Sequence, residues 1–308
     1  MKQRKNLIAE ALPQMILMSE EPMSRHTTFR IGGPAELFAV PGSEELPILL
    51  KLAEREQIPV TVIGNGSNLL VGDGGIRGLV IEVGSGMDEI RVTGDRLVAG
   101  AGALLSKAAQ TAVAAGLGGM EFAAGIPGNL GGAVVMNAGA YGGEMKDILE
   151  RVTVLDVRGQ EHVLELEDLE LGYRHSCIPE KKYIVTEAVL KLAVKPKEEI
   201  RSRMAELREQ RVSKQPLEFP SAGSTFKRPE GYFAGKLIMD AGLSGYRVGD
   251  AQVSEKHCGF VINRGKASAA EVCQLMQDVQ NKVEESFGVK LEPEVKMIGD
   301  FSDGSRRQ

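Results

Sequence analysis

Three polar residues outside the glycine-rich loops could do chemistry: Arg174 in the segment YRHS, Ser224 in AGSTFK and Glu294 in LEPE. The pattern around Ser224 is not the GxSxG elbow of the α/β-hydrolases, so this serine is a poor candidate for a nucleophile. A serine hydroxyl can instead donate a proton when neighbouring groups stabilise the alkoxide that remains. Three basic residues close in sequence could do this or bind a substrate phosphate: Lys214, Lys227 and Arg228.

Each of these residues also has a plainer interpretation. Arginine is usually a solvated surface residue, and a serine that follows a glycine is usually part of a turn. The basic residues around Ser224 could equally form a solvated patch. Glu294 alternates with apolar positions along a predicted final strand over 289–299, so we expect it on a polar, solvated face. That strand face opposes the one formed by Leu291, Pro293, Val295 and Met297.

Two glycine-rich stretches suggest that an anion is bound through the backbone. The first, Ile63-Gly-Asn-Gly-Ser-Asn68, directly follows a predicted strand. Its glycines permit backbone angles that point successive N–H groups inward, and such bends bind anions. The second, Gly125-Ile-Pro-Gly-Asn-Leu-Gly-Gly132, offers the same chemistry, and two such bends would suit a diphosphate. The glycines could instead serve only tight turns between strands.

The common nucleotide-binding fingerprints are absent from both stretches. Gly64-Asn-Gly66 lacks the third glycine of GxGxxG, and the sequence contains no GxxxxGK[ST]. The residues therefore predict a protein that binds a diphosphate, but they do not identify the molecule that carries it.

The elements that position these loops predict an α+β fold. A strand at 37–42, a helix capped by Ser43, and strands at 59–63 and 79–83 open the chain, after a short helix and connector over 1–24. Short strands follow from about residue 90, with a hairpin turn at Arg158-Gly159 and one helix that ends at Gly116. A charged helix over 198–211 and a helix with a capping box at Ser268 and Glu271 lie in the last third. We expect three lobes, at 1–90, 91–196 and 197–308, of which the first two form one ligand-binding unit.

Composition excludes several classes of protein. The 308 residues carry a formal net charge of −5, which argues against nucleic-acid binding. The three cysteines form no CxxC pair and the four histidines lie far apart, so we expect free thiols and no metal site. No secretory signal and no membrane-spanning run is predicted, which favours a cytoplasmic protein that does not bind membranes. We also expect a monomer.

Over nearly its full length the sequence resembles the UDP-N-acetylenolpyruvoylglucosamine reductase (UDP-N-acetylmuramate dehydrogenase) family. The matching segments, in order, are TTFRIGGPA, IGNGSNLL, GIPGNLGG with MNAGAYG, YRHS, AGSTFK and LEPE. The two glycine loops alone would indicate only the wider FAD-binding family related to vanillyl-alcohol oxidase and p-cresol methylhydroxylase. The compact chain is similar to the shorter, type II class, which lacks an inserted tyrosine loop over the substrate.

The resemblance implies FAD in the first two lobes and a C-terminal domain for the substrate. It implies NADPH as electron donor and UDP-N-acetylglucosamine enolpyruvate as acceptor, in peptidoglycan precursor synthesis and hence in cell shape and division. The cofactor-binding residues would be Ile63, Gly64, Asn65, Gly66, Ser67, Asn68, Gly125, Pro127, Gly128, Gly131, Gly132, Asn137, Gly139 and Ala140. Substrate-binding residues would be Tyr173, Lys214, Lys227, Arg228 and His257, although His257 could also be only structural.

The resemblance also implies catalytic roles for Arg174, Ser224 and Glu294. Hydride would pass from flavin N5 to the terminal enolpyruvyl carbon, and Ser224 would give a proton to the adjacent carbon. Arg174, with Glu294 nearby, would stabilise the negative charge that develops. Glu294 would need to be protonated or hydrogen-bonded, since a bare carboxylate would repel that charge.

Two other functions remain open at this point. A flavin oxidase of the wider FAD family would use oxygen as its acceptor, and it would have no need of a proton donor to carbon. A nucleotide-sugar-binding regulator would need neither FAD nor the set Arg174, Ser224 and Glu294.

Overall fold

A computed structural model describes residues 2–302 and divides the chain into two compact units. The first unit contains the chain up to Ser19, Leu37–Asn65 and Gly78–Arg211. The second contains Glu20–Glu36, Gly66–Arg77 and the described residues from Val212 to Ser302. The division into three functional lobes stays a prediction, because compact units do not assign functions.

The helices begin and end largely where local sequence signals lie. In chain order they are α1 Lys2–Ala11, α2 Glu45–Arg55, α3 Leu105–Ala115, α4 Leu130–Val135, α5 Lys197–Lys214, α6 Ala234–Asp240 and α7 Ala269–Phe287. Gly116 ends α3 in the left-handed conformation, with φ of 72°, as the sequence predicts. At α7 the capping box of Ser268 and Glu271 and the left-handed Gly288 are also confirmed.

The strands are mostly short. They are β1 Ile16–Pro22, β2 Pro34–Val40, β3 Val60–Ile63, β4 Leu69–Val71, β5 Ile76–Glu82, β6 Ile90–Thr93, β7 Arg96–Gly100, β8 Leu117–Gly118, β9 Gly139–Ala140, β10 Gly143–Glu144, β11 Leu149–Leu155, β12 Glu161–Glu165, β13 Ile184–Lys191, β14 Ala193–Val194, β15 Ser221–Ser224, β16 Arg247–Val248, β17 Ala251–Val253, β18 Phe260–Asn263 and β19 Lys296–Ile298. Helices and strands together confirm the α+β class.

The largest sheet of the first unit has five antiparallel strands in the order β12-β11-β13-β7-β6. At its centre Val189 lies opposite Val98, and Val152 lies opposite Ala188. Helix α3 buries one stripe at helical spacing in the core of this unit: Leu105, Ala108, Ala109, Ala112 and Val113. Small alanines on that stripe allow close packing of the helix.

A second sheet has the order β1-β2-β5-β3, and in it β3 and β5 run parallel. Their register places Val60 opposite Leu79 and Ile63 opposite Glu82. The side chains of Leu46, Leu49 and Ala53 on α2 are buried in the same hydrophobic core as Leu79. Because β3 and β5 are parallel, their carboxyl ends lie at the same end of the sheet, and the first glycine loop begins there, directly after β3.

The second unit is built around an antiparallel sheet of four strands, β15-β18-β17-β16. Helices α6 and α7 contribute to its core, which includes Leu237, Val272 and Val279. Strand β4, from the loop after β3, pairs in parallel with β19 and brings the buried Leu70 into this core. Phe29 and Ile31 belong to the same core, so segments from distant parts of the sequence complete the unit.

Three local predictions are wrong. Ser43 does not cap α2: the N-cap residue is Glu44, and its side chain makes no capping hydrogen bond. Near the start of the helix, Gly42 N–H donates instead to the Glu45 carboxylate over 2.7 Å. The connector before residue 24 contains β1. The final strand is limited to β19, because Pro293 has no N–H and forms only an isolated bridge with Phe226.

The predicted hairpin turn at Arg158-Gly159 is confirmed. Gly159 has a φ of 70°, and its N–H donates to the Asp156 backbone oxygen over 2.9 Å. The Asp156 carboxylate also accepts from the N–H groups of Arg158 and Gln160. Within residues 2–302, no helix is long and apolar enough to cross a membrane.

Candidate active site

The loop after β3 presents four successive backbone N–H groups that no other described residue accepts from. Those of Gly64, Asn65, Gly66 and Ser67 donate to no atom of residues 2–302. Gly66 has a φ of 61°, and a Cβ there would lie 1.9 Å from the backbone oxygen of His26. Only glycine therefore allows this bend, and unpartnered amides in such a bend are the donors that a phosphate requires.

The second glycine bend is predicted to offer its backbone N–H groups to an anion as the first does, but most of them are bonded within the protein. The N–H groups of Leu130 and Gly131 donate to the backbone oxygens of Ala103 and Ala101, each over 2.8 Å. Gly132 N–H donates to Asn129 Oδ1 over 3.2 Å. The glycines at 131 and 132 thus offer no backbone donor to an anion. The N–H groups of 128 and 129 remain without a partner among residues 2–302.

Asn129 explains why Gly64 must be a glycine. The buried Asn129 side chain donates to the Val83 backbone oxygen over 2.6 Å and caps α4 through Oδ1. A Cβ at Gly64 would lie 2.4 Å from that Oδ1 atom. The end of β3 therefore approaches the start of α4 closely, within the first unit.

Arg211 is a candidate residue that sequence reasoning missed. A Cβ on Gly125 would lie 3.1 Å from Arg211 Cδ, so the arginine side chain packs against the second glycine bend. Burial holds the pKa of its guanidinium below the ordinary value, and the charge of Tyr141 opposes this shift. A half-buried cation beside a glycine bend suits an anionic ligand. Arg211 carried no signal in the sequence, because it lies near the end of a highly charged helix whose other arginines are typical surface residues.

Arg174 lies at the tip of a tight turn in the first unit. Gly172 and His175 exchange two backbone hydrogen bonds, of 3.1 and 3.2 Å, across the turn. Arg174 has a left-handed φ of 54°, its guanidinium lies 5.2 Å from the Tyr173 ring centre, and it reaches the Gly139 oxygen at 3.5 Å. Strain of this kind persists where surrounding bonds fix the backbone.

Asn137 holds the Arg174 turn in place. Its Nδ2 donates to the Gly172 backbone oxygen over 3.0 Å and to the Glu144 carboxylate over 2.8 Å. Its Oδ1 accepts from Lys146 N–H over 2.9 Å. Both Nδ2 hydrogens are thus used within the protein, so Asn137 positions the turn rather than donating to a cofactor. Nearby, Gly139 and Ala140 form β9, and Pro127 is exposed in the second bend.

In the second unit, Thr225 connects the segments that carry Ser224 and Glu294. Thr225 N–H donates to the Gly259 oxygen over 2.9 Å, and its own oxygen accepts from Glu294 N–H over 2.8 Å. Its buried hydroxyl accepts from Val261 N–H over 3.0 Å. Ser224, next in the chain, pairs with Phe260, and its hydroxyl has no partner among residues 2–302.

Glu294 contradicts the prediction of a solvated strand face. Only 9% of the residue is exposed, and its backbone oxygen accepts from Asn68 Nδ2 over 3.1 Å. Met297, which the strand pattern placed on the apolar face, is instead exposed. The alternation fails because residues 291–295 do not form one continuous strand. An acidic residue this deeply buried is uncommon, so Glu294 does not belong to a solvated strand face.

The predicted substrate-binding residues of the second unit lie in different surroundings. Lys227 pairs with the Glu292 carboxylate at 3.1 Å, and Lys214 is exposed. The Arg228 guanidinium lies 4.0 Å from the ring centre of Phe233 and donates through Nε to the Tyr232 oxygen. His257 is half-buried in the turn before β18. Arg174 and Tyr173 belong to the first unit.

The residues of the first glycine loop fit a diphosphate-containing cofactor. Unpartnered amides at 64–67 are the donor set that two phosphates require, and glycine is obligatory at 66. The fold therefore provides a bend suited to the diphosphate of FAD.

Comparisons with known proteins agree with this fit. Residues 34–165 match a model described as "FAD binding domain". Residues 215–298 match "UDP-N-acetylenolpyruvoylglucosamine reductase, C-terminal domain". An FAD-binding domain followed by a reductase-specific domain defines the chain as a flavoprotein oxidoreductase.

Relatives covering the whole chain identify the family. A UDP-N-acetylenolpyruvoylglucosamine reductase of Agathobacter rectalis is 61% identical over 96% of this chain and 98% of its own length. Another, from Caldanaerobacter subterraneus subsp. tengcongensis, is 51% identical over 95% of this chain and 97% of its own. The crystal structure of the Thermus caldophilus enzyme superimposes with a TM-score of 0.79 at 41% identity, covering 92% of this chain and 98% of that one. The chain belongs to the UDP-N-acetylenolpyruvoylglucosamine reductase family.

Proposed function

We propose that this protein uses NADPH to reduce UDP-N-acetylglucosamine enolpyruvate to UDP-N-acetylmuramate, in cytoplasmic peptidoglycan precursor synthesis. The net reaction adds a hydride to the terminal enolpyruvyl carbon and a proton to the adjacent carbon, and it converts NADPH to NADP⁺. The observation that carries the proposal is the arrangement around Thr225. It holds an unpartnered serine hydroxyl and a buried carboxyl group in adjacent segments of one unit.

FAD, when bound, supplies hydride transfer between the two substrates. The amides of residues 64–67, with those of 128 and 129, would hold its diphosphate. Gly131 would contribute by allowing the bend to pack closely against Ala101, Gly132 through its place beside the Asn129 cap, and Arg211 through its charge. Asn137 would position the Arg174 turn through its side chain, and Gly139 and Ala140 would contact the cofactor through their backbone.

Ser224 donates the proton in this proposal. Its hydroxyl has no partner among residues 2–302, so no existing bond must break before it turns toward a substrate. Arg174 binds the enolpyruvyl carboxylate, because a guanidinium matches a carboxylate through two bonds and offsets its growing charge. Glu294 would support the developing charge by donating a hydrogen bond from a protonated carboxyl group, since a bare carboxylate would repel that charge. Lys214, Lys227, Arg228 and Tyr173 contact the rest of the UDP-sugar.

The half-reactions of Ser224→Ala test this assignment. Under argon, NADPH should still bleach the flavin absorbance of the variant at the native rate, because Ser224 takes no part in that step. Recovery of absorbance on adding the enolpyruvyl UDP-sugar should slow by about 10²- to 10⁴-fold, the usual contribution of a general acid. Recovery at the native rate would rule out Ser224 as the proton donor.

A further inference from the structure

Asn68, the last residue before β4, bonds the end of the first glycine loop to Glu294. Its Nδ2 donates to the Glu294 backbone oxygen over 3.1 Å, and its own backbone oxygen accepts from Lys296 N–H over 2.9 Å. Asn68 and Glu294 are 226 positions apart in the chain, and both belong to the second unit. Lys296 lies opposite Leu69 in the pairing of β4 with β19, so these bonds begin that parallel pair. The backbone of Glu294 is therefore attached to the glycine loop.

The backbone of Glu294 is held on its other side by the segment that carries Ser224. Glu294 N–H donates to the oxygen of Thr225, the residue that follows Ser224, over 2.8 Å. Both backbone polar groups of Glu294 are thus bonded, the N–H to one segment and the oxygen to the other. Because only 9% of the residue is exposed, its carboxyl group has little room to move. Asn68 therefore supplies one of the two backbone bonds that fix where this carboxyl group lies.

Thr28 connects the same loop to the strand of Ser224. Its N–H donates to the Gly66 oxygen over 3.3 Å, and its hydroxyl donates to the Ser221 oxygen over 2.7 Å. Ser221 begins β15, and Ser224 ends it. Thr28 and Ser221 are 193 positions apart and belong to the second unit, so this hydroxyl joins segments that are distant in the chain. The position of β15 is thus tied to that of the loop.

These two side chains meet the loop where its own N–H groups are unpartnered. Gly66 and Ser67 carry two of the amides that no other described residue accepts from. Asn68 and Thr28 leave those amides to a diphosphate, because each of them bonds through other atoms. Reaction rates depend steeply on position, and a misplacement of about 1 Å can cost about 100-fold. Bonds that relate the proton donor and the carboxyl group to the cofactor loop therefore bear on the rate of reaction.

We propose that Asn68 and Thr28 are positioning residues, which hold Glu294 and Ser224 at set positions relative to the loop that binds the cofactor diphosphate. This inference rests on the proposed function and adds two residues to it. Each acts through the backbone of another segment rather than by contact with the reacting atoms. Their loss should therefore slow reduction of the UDP-sugar, which uses Ser224 and Glu294, more than reduction of the flavin, which uses neither.

Two substitutions test the hydroxyl of Thr28. Thr28→Val removes the hydroxyl and keeps the shape of the side chain, whereas Thr28→Ser keeps the hydroxyl. Under argon, recovery of flavin absorbance on adding the enolpyruvyl UDP-sugar should slow by about tenfold with Val but by less than about threefold with Ser. Bleaching by NADPH should change by less than about threefold in both. Equal slowing by Val and Ser, equal slowing of the two half-reactions, or no slowing would overturn the proposal.

Thr111 supplies the matched control. Its hydroxyl makes the same kind of bond, to the Lys107 oxygen over 3.0 Å, on helix α3 of the first unit. Thr111→Val should therefore leave both half-reactions at the native rate. If Thr111→Val slows recovery with the UDP-sugar as much as Thr28→Val does, the effect is not one of position and the proposal fails.

Asn68→Ala tests the bond to Glu294. With FAD present in excess, recovery with the UDP-sugar should slow by about tenfold or more, while bleaching by NADPH slows by less than about threefold. Asn281→Ala, on the exposed face of α7, should change neither. Unchanged recovery would overturn the proposal. So would a variant that binds FAD more weakly and slows both half-reactions alike, because Asn68 would then act on the cofactor itself.

Hydrogen exchange tests the connection without any turnover. In the FAD-bound protein, the amides of residues 292–298 should exchange faster in Asn68→Ala than in the native protein, because that segment loses one of its bonds. Amides of the hairpin at 156–160 should not change. Unchanged exchange over 292–298 would overturn the inference even if the native enzyme reduces the UDP-sugar. Faster exchange together with no UDP-sugar turnover in the native protein would instead remove the proposed function.

Discussion

At the scale of single residues, the candidate site depends on backbone angles that side chains rarely allow. Asn137 and Arg174 have left-handed φ values of 42° and 54°, and Gly66 has one of 61°. For a residue with a Cβ such angles cost about 1–3 kcal/mol, so they persist only where surrounding bonds fix them. Here those bonds come from the Asn137 amide and from the turn between Gly172 and His175.

Replacing Asn137 should loosen the Arg174 turn. Asn137→Ala removes one hydrogen-bond partner each from the Gly172 oxygen, the Glu144 carboxylate and the Lys146 N–H. We expect the free energy of unfolding in urea to fall by about 2 kcal/mol, because alanine cannot make the three hydrogen bonds of the buried Asn137 side chain. Asn281→Ala, on the exposed face of α7, is the control and should be nearly neutral. A neutral Asn137→Ala would mean that the turn is held by other contacts.

Gly66→Ala tests the first glycine loop. The added Cβ would meet the His26 oxygen at 1.9 Å in a left-handed conformation, so the bend must open. We expect a loss of more than about 2 kcal/mol in unfolding free energy and a lower flavin absorbance per protein. Gly231→Ala, with a φ of 74° and open space around its Cβ, isolates the cost of the angle alone. Equal effects of the two substitutions would contradict the close approach.

At the scale of elements, α7 receives its N-terminal cap from two directions. Ser268 caps through its own side chain, and the Asp73 carboxylate accepts from Ala269 N–H over 2.9 Å and Ala270 N–H over 3.0 Å. Asp73 lies in the loop after β4, so this carboxylate ties that loop to the longest helix of the second unit. A negative group at the start of a helix also interacts favourably with the helix dipole and so stabilises the helix.

Removing the Asp73 carboxylate should therefore weaken the second unit. We expect Asp73→Ala to lower the free energy of unfolding by about 1 kcal/mol, the usual cost of losing a helix cap. Glu285→Ala removes an acid from the opposite end of α7, where it pairs with Lys282, and should leave stability unchanged. The result against this account is an Asp73→Ala variant as stable as the Glu285→Ala control.

The same elements illustrate what the sequence can predict. The start and end of α7 and the end of α3 were predictable, because caps and left-handed glycines act within a few residues. Strand β4 was not, since its partner β19 lies more than two hundred positions away and no local pattern links them. The burial of Glu294 escaped prediction for the same reason, as its contacts to Thr225 and Asn68 join distant segments.

At the scale of the whole molecule, each compact unit has its own hydrophobic core. The second core draws on Phe29, Leu70 and Val272, which come from three separate stretches of the chain. The boundaries between the two units fall within β1, within β2, in the loop after β3, within β5 and within α5. Sequence motifs identified the family, but only the folded chain shows that the loop after β3 belongs partly to each unit.

The central claim is that this protein is a reductase of an enolpyruvyl UDP-sugar rather than an oxidase. Native protein reduced with NADPH under argon provides the direct measurement, with the visible flavin spectrum as readout. We predict that the enolpyruvyl UDP-sugar restores the oxidised spectrum within the dead time of manual mixing, whereas air alone restores it far more slowly. Rapid recovery in air with no response to the UDP-sugar would contradict the account.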